Sequence, residues 1–291
     1  MLELPTDDPS NPLKLADWLE IYTLLSGDYN ASRGDLERIL RRAGFCELDD
    51  DEAIERKTLD TFEELEQRRR AAREAYPFVL DYHRVLELKT KWEDFPVYIF
   101  CLCLSYFGFG EAHKISRLFE HVSCLAAKSY LQGNAIGFGW PRSELPASFP
   151  KAVTKLCALL GEGSGYREQP ALDRKDDTLD VVAWKDFTDK SSSKILMFGQ
   201  CAAGRNWEEK LGELNPETFW RQWMQDSLVS PTPIKSYFVP HRIERKKWEL
   251  VARKAGVIFD RCRIAFWAQQ EKVDYSAHVE WIRGLLTKIT S

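Results

Sequence analysis

Residues 178–207, TLDVVAWKDFTDKSSSKILMFGQCAAGRNW, are the segment around which the rest of the chain is placed. They read as two short apolar strands joined by a polar turn. In the first strand Asp180 shares a face with Trp184, because side chains alternate along a strand. The second contains the apolar run 195–198, which is typical of a strand covered on both faces. A charge at the edge of such a pair is costly unless it meets a metal ion or a cation. Asp180 and Gln200 are therefore candidate site residues.

The composition indicates a globular chain with an uneven charge. Its 291 residues are 44% apolar and 12% aromatic, which is enough to fill a substantial core. The net charge of −4 gives no overall attraction to nucleic acid. However, residues 1–80 contain 19 acidic and 11 basic side chains, whereas residues 235–263 contain three acidic and nine basic ones. We expect a polyanionic partner to meet the second segment and to be repelled by the first.

The seven cysteines are odd in number, scattered, and mostly set in apolar surroundings such as residues 98–106, YIFCLCLSY. This pattern is typical of reduced, buried thiols in a cytoplasmic protein and lacks zinc-finger spacing. Residues 1–12 lack the basic-then-apolar pattern of a secretion signal. The longest apolar run, residues 96–109, is shorter than the roughly 20 residues of a membrane span. We expect a cytoplasmic protein without a membrane contact.

The first hundred residues show mainly helical periodicity. Apolar spacing predicts helices from residue 13 onward, including residues 78–91, and segment 96–107 is the best candidate for a central helix. Three consecutive arginines at 68–70 are interpreted as a solvated helix face balanced by nearby glutamates, with a phosphate-binding patch as the alternative. Residues 1–110 are thus predicted to be an all-α N-terminal domain for targeting or assembly. Through this domain the chain would form a homodimer or bind a partner protein subunit.

From residue 111 onward, helix and strand patterns alternate. An amphipathic helix over 112–131 precedes two strands at 178–185 and 194–201, which we expect to pair antiparallel because a short polar linker joins them. Later segments continue the alternation: a strand at 234–239, a basic helix at 244–255, a strand at 257–267 and a final helix at 276–288. Residues 111–291 are predicted to form an α/β domain with a mixed sheet flanked by helices.

Phosphodiester hydrolysis accounts for the residue types at the ends of the two strands. The reaction needs a divalent ion, an activated water and ideally a lysine. Mg²⁺ prefers oxygen ligands. Two adjacent strands can supply these groups. One strand then ends in an acid, and the other ends in a tripeptide of an acid or amide, any residue and a lysine. Here Asp180 occupies the first place and Gln200-Cys201-Ala202 the second, without the lysine.

Residues 179–183, LDVVA, followed by 198–202, FGQCA, resemble the PD-(D/E)xK nuclease superfamily, which has the restriction-endonuclease-like fold. The likeness is to its Mrr-type branch, in which the second strand ends in Gln-x-Lys. It covers roughly residues 112–268 and includes the superfamily's helix-strand-strand-strand-helix-strand order. The resemblance implies a metal-dependent DNA endonuclease with Mg²⁺ or Mn²⁺ as cofactor, acting in restriction or anti-phage defence.

Position by position, the resemblance also implies roles for individual residues. Asp180 would be the principal metal ligand, and Gln200 would bind through its side-chain oxygen. Cys201 would bind through its carbonyl, and Glu120, on the helix before the strands, would be an outer carboxylate. From the residues alone, Glu120 is better interpreted as a solvated helix residue. Asp180 as a strand-edge residue and Gln200 as a partner of backbone groups also remain open.

Ala202 stands where the superfamily has its lysine. Either the lysine was replaced by design, or a cation has moved in from elsewhere, or the site is naturally inactive. Lys210 and Arg205 lie near the start of the next helix and are the better-placed substitutes, although an arginine does not readily act as a base. Lys185 should face away from Asp180.

Two functions remain open. In a nuclease, four basic residues would bind backbone phosphates in a salt-sensitive manner: Arg242, Arg245, Lys246 and Lys247. The alternative is a noncatalytic nucleic-acid-binding or assembly subunit that kept the nuclease scaffold and lost its lysine.

Overall fold

The computed structural model describes residues 2, 4–5, 11–44, 51–82, 84–108, 112–168, 175–226 and 231–290. The chain divides into two compact units. The first comprises residues 1–107 together with 273–291, and the second comprises residues 108–272. The division after residue 107 lies close to the predicted one after residue 110.

The first unit combines helices with a small antiparallel sheet of strand order β1-β3-β2. Its elements are α1 (Pro12–Leu25), β1 (Asn30–Ser32), α2 (Arg33–Arg42), α3 (Asp51–Ala72), β2 (Phe78–Asp81), β3 (Val85–Leu88) and α4 (Pro96–Phe107), with a C-terminal helix at Ser276–Thr290. The prediction of an all-α N-terminal region is therefore wrong at β1, β2 and β3, and the last two lie within the helix predicted over residues 78–91. In β2 Phe78 is buried and Val79 is exposed, and in β3 Leu86 is buried next to the exposed Glu87. This period of two is that of a strand.

The C-terminal helix belongs to the first unit, so the prediction that residues 111–291 form one domain is wrong at its C-terminal end. The reason is aromatic packing against α4. The ring of Phe100 lies 5.0 Å from that of His278 and 5.2 Å from that of Trp281, both edge-on. Such edge-to-face pairs add to the free energy gained by burying the rings.

Arg68 on α3 is completely buried, which neither reading of the arginine run anticipated. Its Nη1 lies 2.7 Å from carboxylate oxygens of Asp17 and Glu20, and its Nε lies 2.8 Å from Glu64. The hydroxyls of Tyr76 and Tyr98 donate to the other oxygen of Glu20, each at 2.8 Å. A buried charge needs this degree of pairing. Arg68 is therefore an internal charge centre of the first unit.

The second unit contains a mixed sheet of strand order β4-β5-β6-β7-β8. Its elements are α5 (Ala112–Leu131), β4 (Asn134–Gly137), α6 (Phe149–Leu160), β5 (Val181–Lys185), β6 (Ile195–Cys201), α7 (Pro216–Trp223), β7 (Ile234–Phe238), α8 (Trp248–Ala255), β8 (Val257–Phe259) and α9 (Arg261–Ala268), which makes the C-terminal helix α10. β5 and β6 pair antiparallel, as predicted, and β7 joins β6 in parallel. A mixed α/β fold with helices flanking the sheet is confirmed.

The strand predicted over residues 257–267 is much shorter than expected. It ends at Phe259, because the next residue, Asp260, is the N-cap of α9. The Asp260 side chain accepts a hydrogen bond of 3.1 Å from the backbone N–H of Arg263. A capping carboxylate satisfies a helix N–H that has no partner within the helix.

Two apolar clusters pack against the sheet of the second unit. The first joins side chains of β4, β5 and β6, among them Ile136, Val182 and Phe198, to residues of α6 and α7. The second surrounds the end of β6 and joins Ala202 to Trp207, Leu211, Tyr237 and neighbouring residues of α8 and β8. Among the described residues, no helix has both the length and the apolar character of a membrane span.

Candidate functional site

Asp180 directly precedes β5 and is held by the strands on both sides. Its backbone N–H donates to the carbonyl of Gly199 at 2.9 Å, and its carbonyl accepts the N–H groups of Phe138 at 2.7 Å and Gly139 at 3.3 Å. Its Oδ2 accepts the backbone N–H of Cys201 at 2.7 Å. The carboxylate is thus fixed where β6 ends.

The register of the sheet brings Gln200 to the same place. β5 and β6 pair with Val181 opposite Gly199 and Val182 opposite Phe198. The regular pairing begins at Val181; just before it, the Asp180 N–H donates to the carbonyl of Gly199 and Asp180 Oδ2 accepts the N–H of Cys201, so Asp180 lies beside the last residues of β6. The strand pair therefore unites the two residues that the sequence singled out.

The side-chain amide of Gln200 is only half satisfied. The residue is 4% exposed, and its Nε2 donates to Oε2 of Glu213 at 2.6 Å. Its Oε1 is buried and has no hydrogen-bond partner among the described residues. A buried amide oxygen without a partner is uncommon and costs free energy. It is a ready oxygen ligand.

Glu120 approaches Asp180 from α5. A Cβ at position 139 would lie 2.7 Å from Glu120 Oε1, so the carboxylate rests against a backbone that only glycine allows without a shift. Burial raises the pKa of Glu120, and the charges of Asp180 and Asp176 raise it further. Burial likewise raises the pKa of Asp180, against the lowering effect of the Cys201 N–H. Buried carboxylates whose pKa values are raised by neighbouring negative charge are stabilised by a bound cation.

The lysine position is enclosed by apolar side chains. Ala202 is 3% exposed and belongs to the cluster that includes Trp207 and Tyr237. Lys210, on a 3-10 turn over Trp207–Gly212, lies near enough for its charge to lower the pKa of Asp180. Lys185 is directed elsewhere, because its Nζ donates to the carbonyl of Gln132. Lys210 therefore has an electrostatic effect on Asp180, whereas Lys185 does not face the site.

Two acidic residues of the site were missed by the sequence reasoning. Asp176 raises the pKa of both Glu120 and Asp180, and its Oδ2 accepts the N–H of Trp140 at 3.2 Å. Glu213 receives the Gln200 amide. The sequence did contain an indication of an acceptor such as Glu213. A glutamine in an otherwise apolar strand needs partners for its amide group, which predicts a nearby acceptor.

The basic segment divides into a buried and an exposed part. Arg242 forms a largely buried ion pair with Asp260, which does not fit the predicted phosphate contact. Arg245, Lys246 and Lys247 form an exposed 3-10 turn. Lys247 lies 3.6 Å from the exposed Glu208, a pairing that water and salt weaken. The exposed turn remains the candidate phosphate-binding surface.

The donor set fits a hard divalent cation. Mg²⁺ commonly takes one or two carboxylates, keeps several waters and binds carbonyl or amide oxygens. Burial raises the pKa of the Cys201 thiol well above its usual range, so the thiol stays protonated and only the carbonyl of this residue is a suitable donor. Among the described residues, no three His, Cys, Asp or Glu side chains form a metal-binding group. A site here would therefore rest on two carboxylates with an amide and a carbonyl oxygen.

No family model, curated protein or solved structure matches this chain. The functional conclusion must therefore come from the geometry of the site.

Proposed function

We propose that residues 108–272 form a PD-(D/E)xK-type nuclease unit that hydrolyses phosphodiester bonds in DNA with Mg²⁺ or Mn²⁺. One observation carries the proposal. At the end of β6 the buried Oε1 of Gln200 has no hydrogen-bond partner among the described residues, and the Asp180 carboxylate is bound to the N–H of the next residue, Cys201. An oxygen left unpaired beside a carboxylate is suited to a cation.

The order of elements supports the same fold. Apart from α6, which is inserted between β4 and β5, the elements run α5, β4, β5, β6, α7 and β7, with β4, β5 and β6 antiparallel and β7 parallel to β6. This is the helix-strand-strand-strand-helix-strand order of the superfamily that the sequence resembles. The candidate residues fall at the corresponding places: Glu120 on the first helix, Asp180 directly before the second strand and Gln200 near the end of the third.

Each residue of the site then has a defined task. Asp180, Gln200 Oε1 and the Cys201 carbonyl would hold the metal, with Glu120 as the outer carboxylate. The metal would stabilise negative charge on the phosphate and lower the pKa of a bound water. Lys210 would supply the positive charge that Ala202 cannot, since its charge reaches Asp180. Restriction or anti-phage defence is the corresponding biological role, and the exposed turn Arg245–Lys247 would bind backbone phosphates.

A second candidate function is favoured by the surroundings of Ala202. The apolar cluster around this 3% exposed residue does not offer a lysine side chain an open path. On this reading the second unit is a noncatalytic nucleic-acid-binding or assembly subunit on a degenerate nuclease fold. The unit would keep the metal-binding oxygens and lack the chemistry.

Cleavage of supercoiled plasmid in Mg²⁺ or Mn²⁺ tests both functions. We expect slow nicking by the unaltered chain, its loss in Asp180→Asn and a reduction of at least about tenfold in Lys210→Ala. Lys151→Ala removes the same charge from an exposed position on α6 and should have no effect. Cleavage by Ala202→Lys alone would mean that the site is intact but disarmed. Absence of cleavage by every form, including a folded Ala202→Lys variant, would favour the noncatalytic subunit.

A further inference from the structure

Glu213 is hydrogen-bonded to the side chain of Gln200 in the candidate site. It directly follows the 3-10 turn Trp207–Gly212, and its Oε2 accepts the Nε2 hydrogen of Gln200 at 2.6 Å. Its charge also raises the pKa of Asp180 and, after the larger effect of burial, that of Tyr237. Glu213 is therefore linked to the metal-ligand candidate Gln200 by a short hydrogen bond.

The chemistry of that bond decides how the Gln200 amide is turned. The oxygen and nitrogen of a glutamine amide have nearly the same shape, so packing alone does not distinguish the two orientations. A carboxylate has no hydrogen to donate and accepts only from the NH₂ group. The reversed amide would place two oxygens in contact, which is repulsive. The carboxylate of Glu213 thus selects the orientation in which Nε2 faces it.

The selected orientation leaves the amide oxygen available. Gln200 is 4% exposed and its Oε1 finds no donor in the described part of the chain. Without Glu213 the amide could turn and present its NH₂ group, which repels a cation. Glutamine is a neutral ligand, so its usefulness in a metal site depends entirely on which atom it presents.

We propose that Glu213 is a positioning residue of the metal site, holding the Gln200 amide so that Oε1 and not Nε2 is offered to the cation. This inference rests on the proposed function, because it needs a cation at Asp180 and Gln200. Residues that orient metal ligands typically change metal affinity ten- to a hundredfold when replaced.

Mn²⁺ affinity of the full chain, measured by electron paramagnetic resonance of free Mn²⁺ and by calorimetry, tests this proposal without relying on cleavage. Glu213→Gln keeps the side-chain length and should weaken Mn²⁺ binding by about ten- to a hundredfold. Glu209→Gln makes the same change at an exposed position on the neighbouring 3-10 turn and should leave affinity unaltered. Thermal melting of each variant reports whether the fold is kept.

An exchange of the two side chains separates positioning from general support of the fold. Gln200→Glu alone brings two carboxylates together and should disturb the site. Adding Glu213→Gln to Gln200→Glu restores one donor and one acceptor across the same contact, with a carboxylate oxygen now offered to the metal. Mn²⁺ affinity of this double variant should equal or exceed that of the unaltered chain. If Glu213→Gln alone does not fold, the comparison of Gln200→Glu with the double variant decides.

The outcomes distinguish this inference from the proposed function. Asp180-dependent Mn²⁺ binding that Glu213→Gln leaves unchanged would overturn the positioning role and leave the metal site in place. Failure of the double variant to recover affinity would overturn it too. If the unaltered chain shows no Mn²⁺ binding that Asp180→Asn removes, the proposed function itself is wrong.

Discussion

The carboxylate of Asp180 accepts a hydrogen bond of 2.7 Å from the backbone N–H of Cys201. This bond ties the start of β5 to the end of β6 and fixes a charged group where two strands meet. An asparagine at position 180 has an oxygen that can accept the same N–H. The Asp180→Asn substitution can therefore separate the role of this hydrogen bond in the fold from the role of the negative charge.

Asp180→Asn is expected to keep the fold and lose the metal. The melting temperature without metal should not fall, because the hydrogen bond to Cys201 is retained and a buried charge is removed. Mn²⁺ affinity should fall by more than about tenfold, because the site loses its principal carboxylate. Calorimetric titration measures this change. Asp60→Asn, at an exposed position on α3, removes the same charge and should not change affinity. Equal Mn²⁺ affinity in all three chains would contradict a metal site at Asp180.

Glu120→Gln is expected to stabilise the metal-free chain at alkaline pH. Burial, then Asp180 and Asp176, raise the pKa of Glu120 in the folded state above its ordinary value of 4.5. The folded state therefore binds this proton more tightly than the unfolded state. The resulting stabilisation is complete below pH 4.5 and is lost as the pH rises toward the folded-state pKa. At pH 8 the folded state still holds this proton, because its pKa for Glu120 is about 9, whereas the unfolded state releases it. Keeping the proton costs the folded state on the order of a few kcal/mol, which glutamine avoids.

Urea unfolding with a chelator at several pH values measures this difference. The free energies of unfolding of Glu120→Gln and the unaltered chain should converge near pH 4 and separate as the pH rises. Mn²⁺ should narrow the gap at pH 8, since a cation stabilises the carboxylate. Glu209→Gln, at an exposed position, is the control. A pH-independent difference would show that Glu120 does not carry the raised pKa.

The exposed turn Arg245–Lys247 is expected to bind phosphate without regard to sequence. Replacing its three basic residues by alanine should weaken DNA affinity equally for unrelated sequences. The slope of log affinity against log salt should become shallower by roughly one unit for each lost phosphate contact. Fluorescence anisotropy over a range of salt concentrations measures both quantities. Unchanged affinity at low salt would place the DNA-binding surface elsewhere.

Arg242→Ala is expected to act on stability rather than on DNA binding. Its partner Asp260 is 1% exposed and also caps α9, so the substitution leaves a buried carboxylate without its cation. Breaking a buried ion pair in this way typically costs about 3–5 kcal/mol. Chemical denaturation measures the loss. The salt dependence of DNA binding should stay the same wherever the variant is folded, and a shallower slope would instead return Arg242 to the phosphate-binding surface.

The two strands of the site were predictable because their signals are local. An alternating segment, a polar linker and a continuous apolar run all lie within residues 178–201. β2 and β3 escaped prediction because each has four residues, too few to establish a period against the helical pattern around them. The pattern of α10 identified a helix, but no local feature tells which core receives it. Its packing partner Phe100 lies far away in the chain.

The sequence by itself determined that two antiparallel strands carry Asp180 and Gln200 at adjoining ends, because alternation and strand length depend on neighbouring residues alone. Only the tertiary structure decided what each polar group meets. Gln200 reaches Glu213 across 13 positions, Arg242 pairs with Asp260 across 18, and Arg68 reaches Glu20 across 48. The sequence names the same charged or amide residue whether its side chain faces water or contacts a partner. Burial, and the pairing that burial requires, arise only when distant segments pack together.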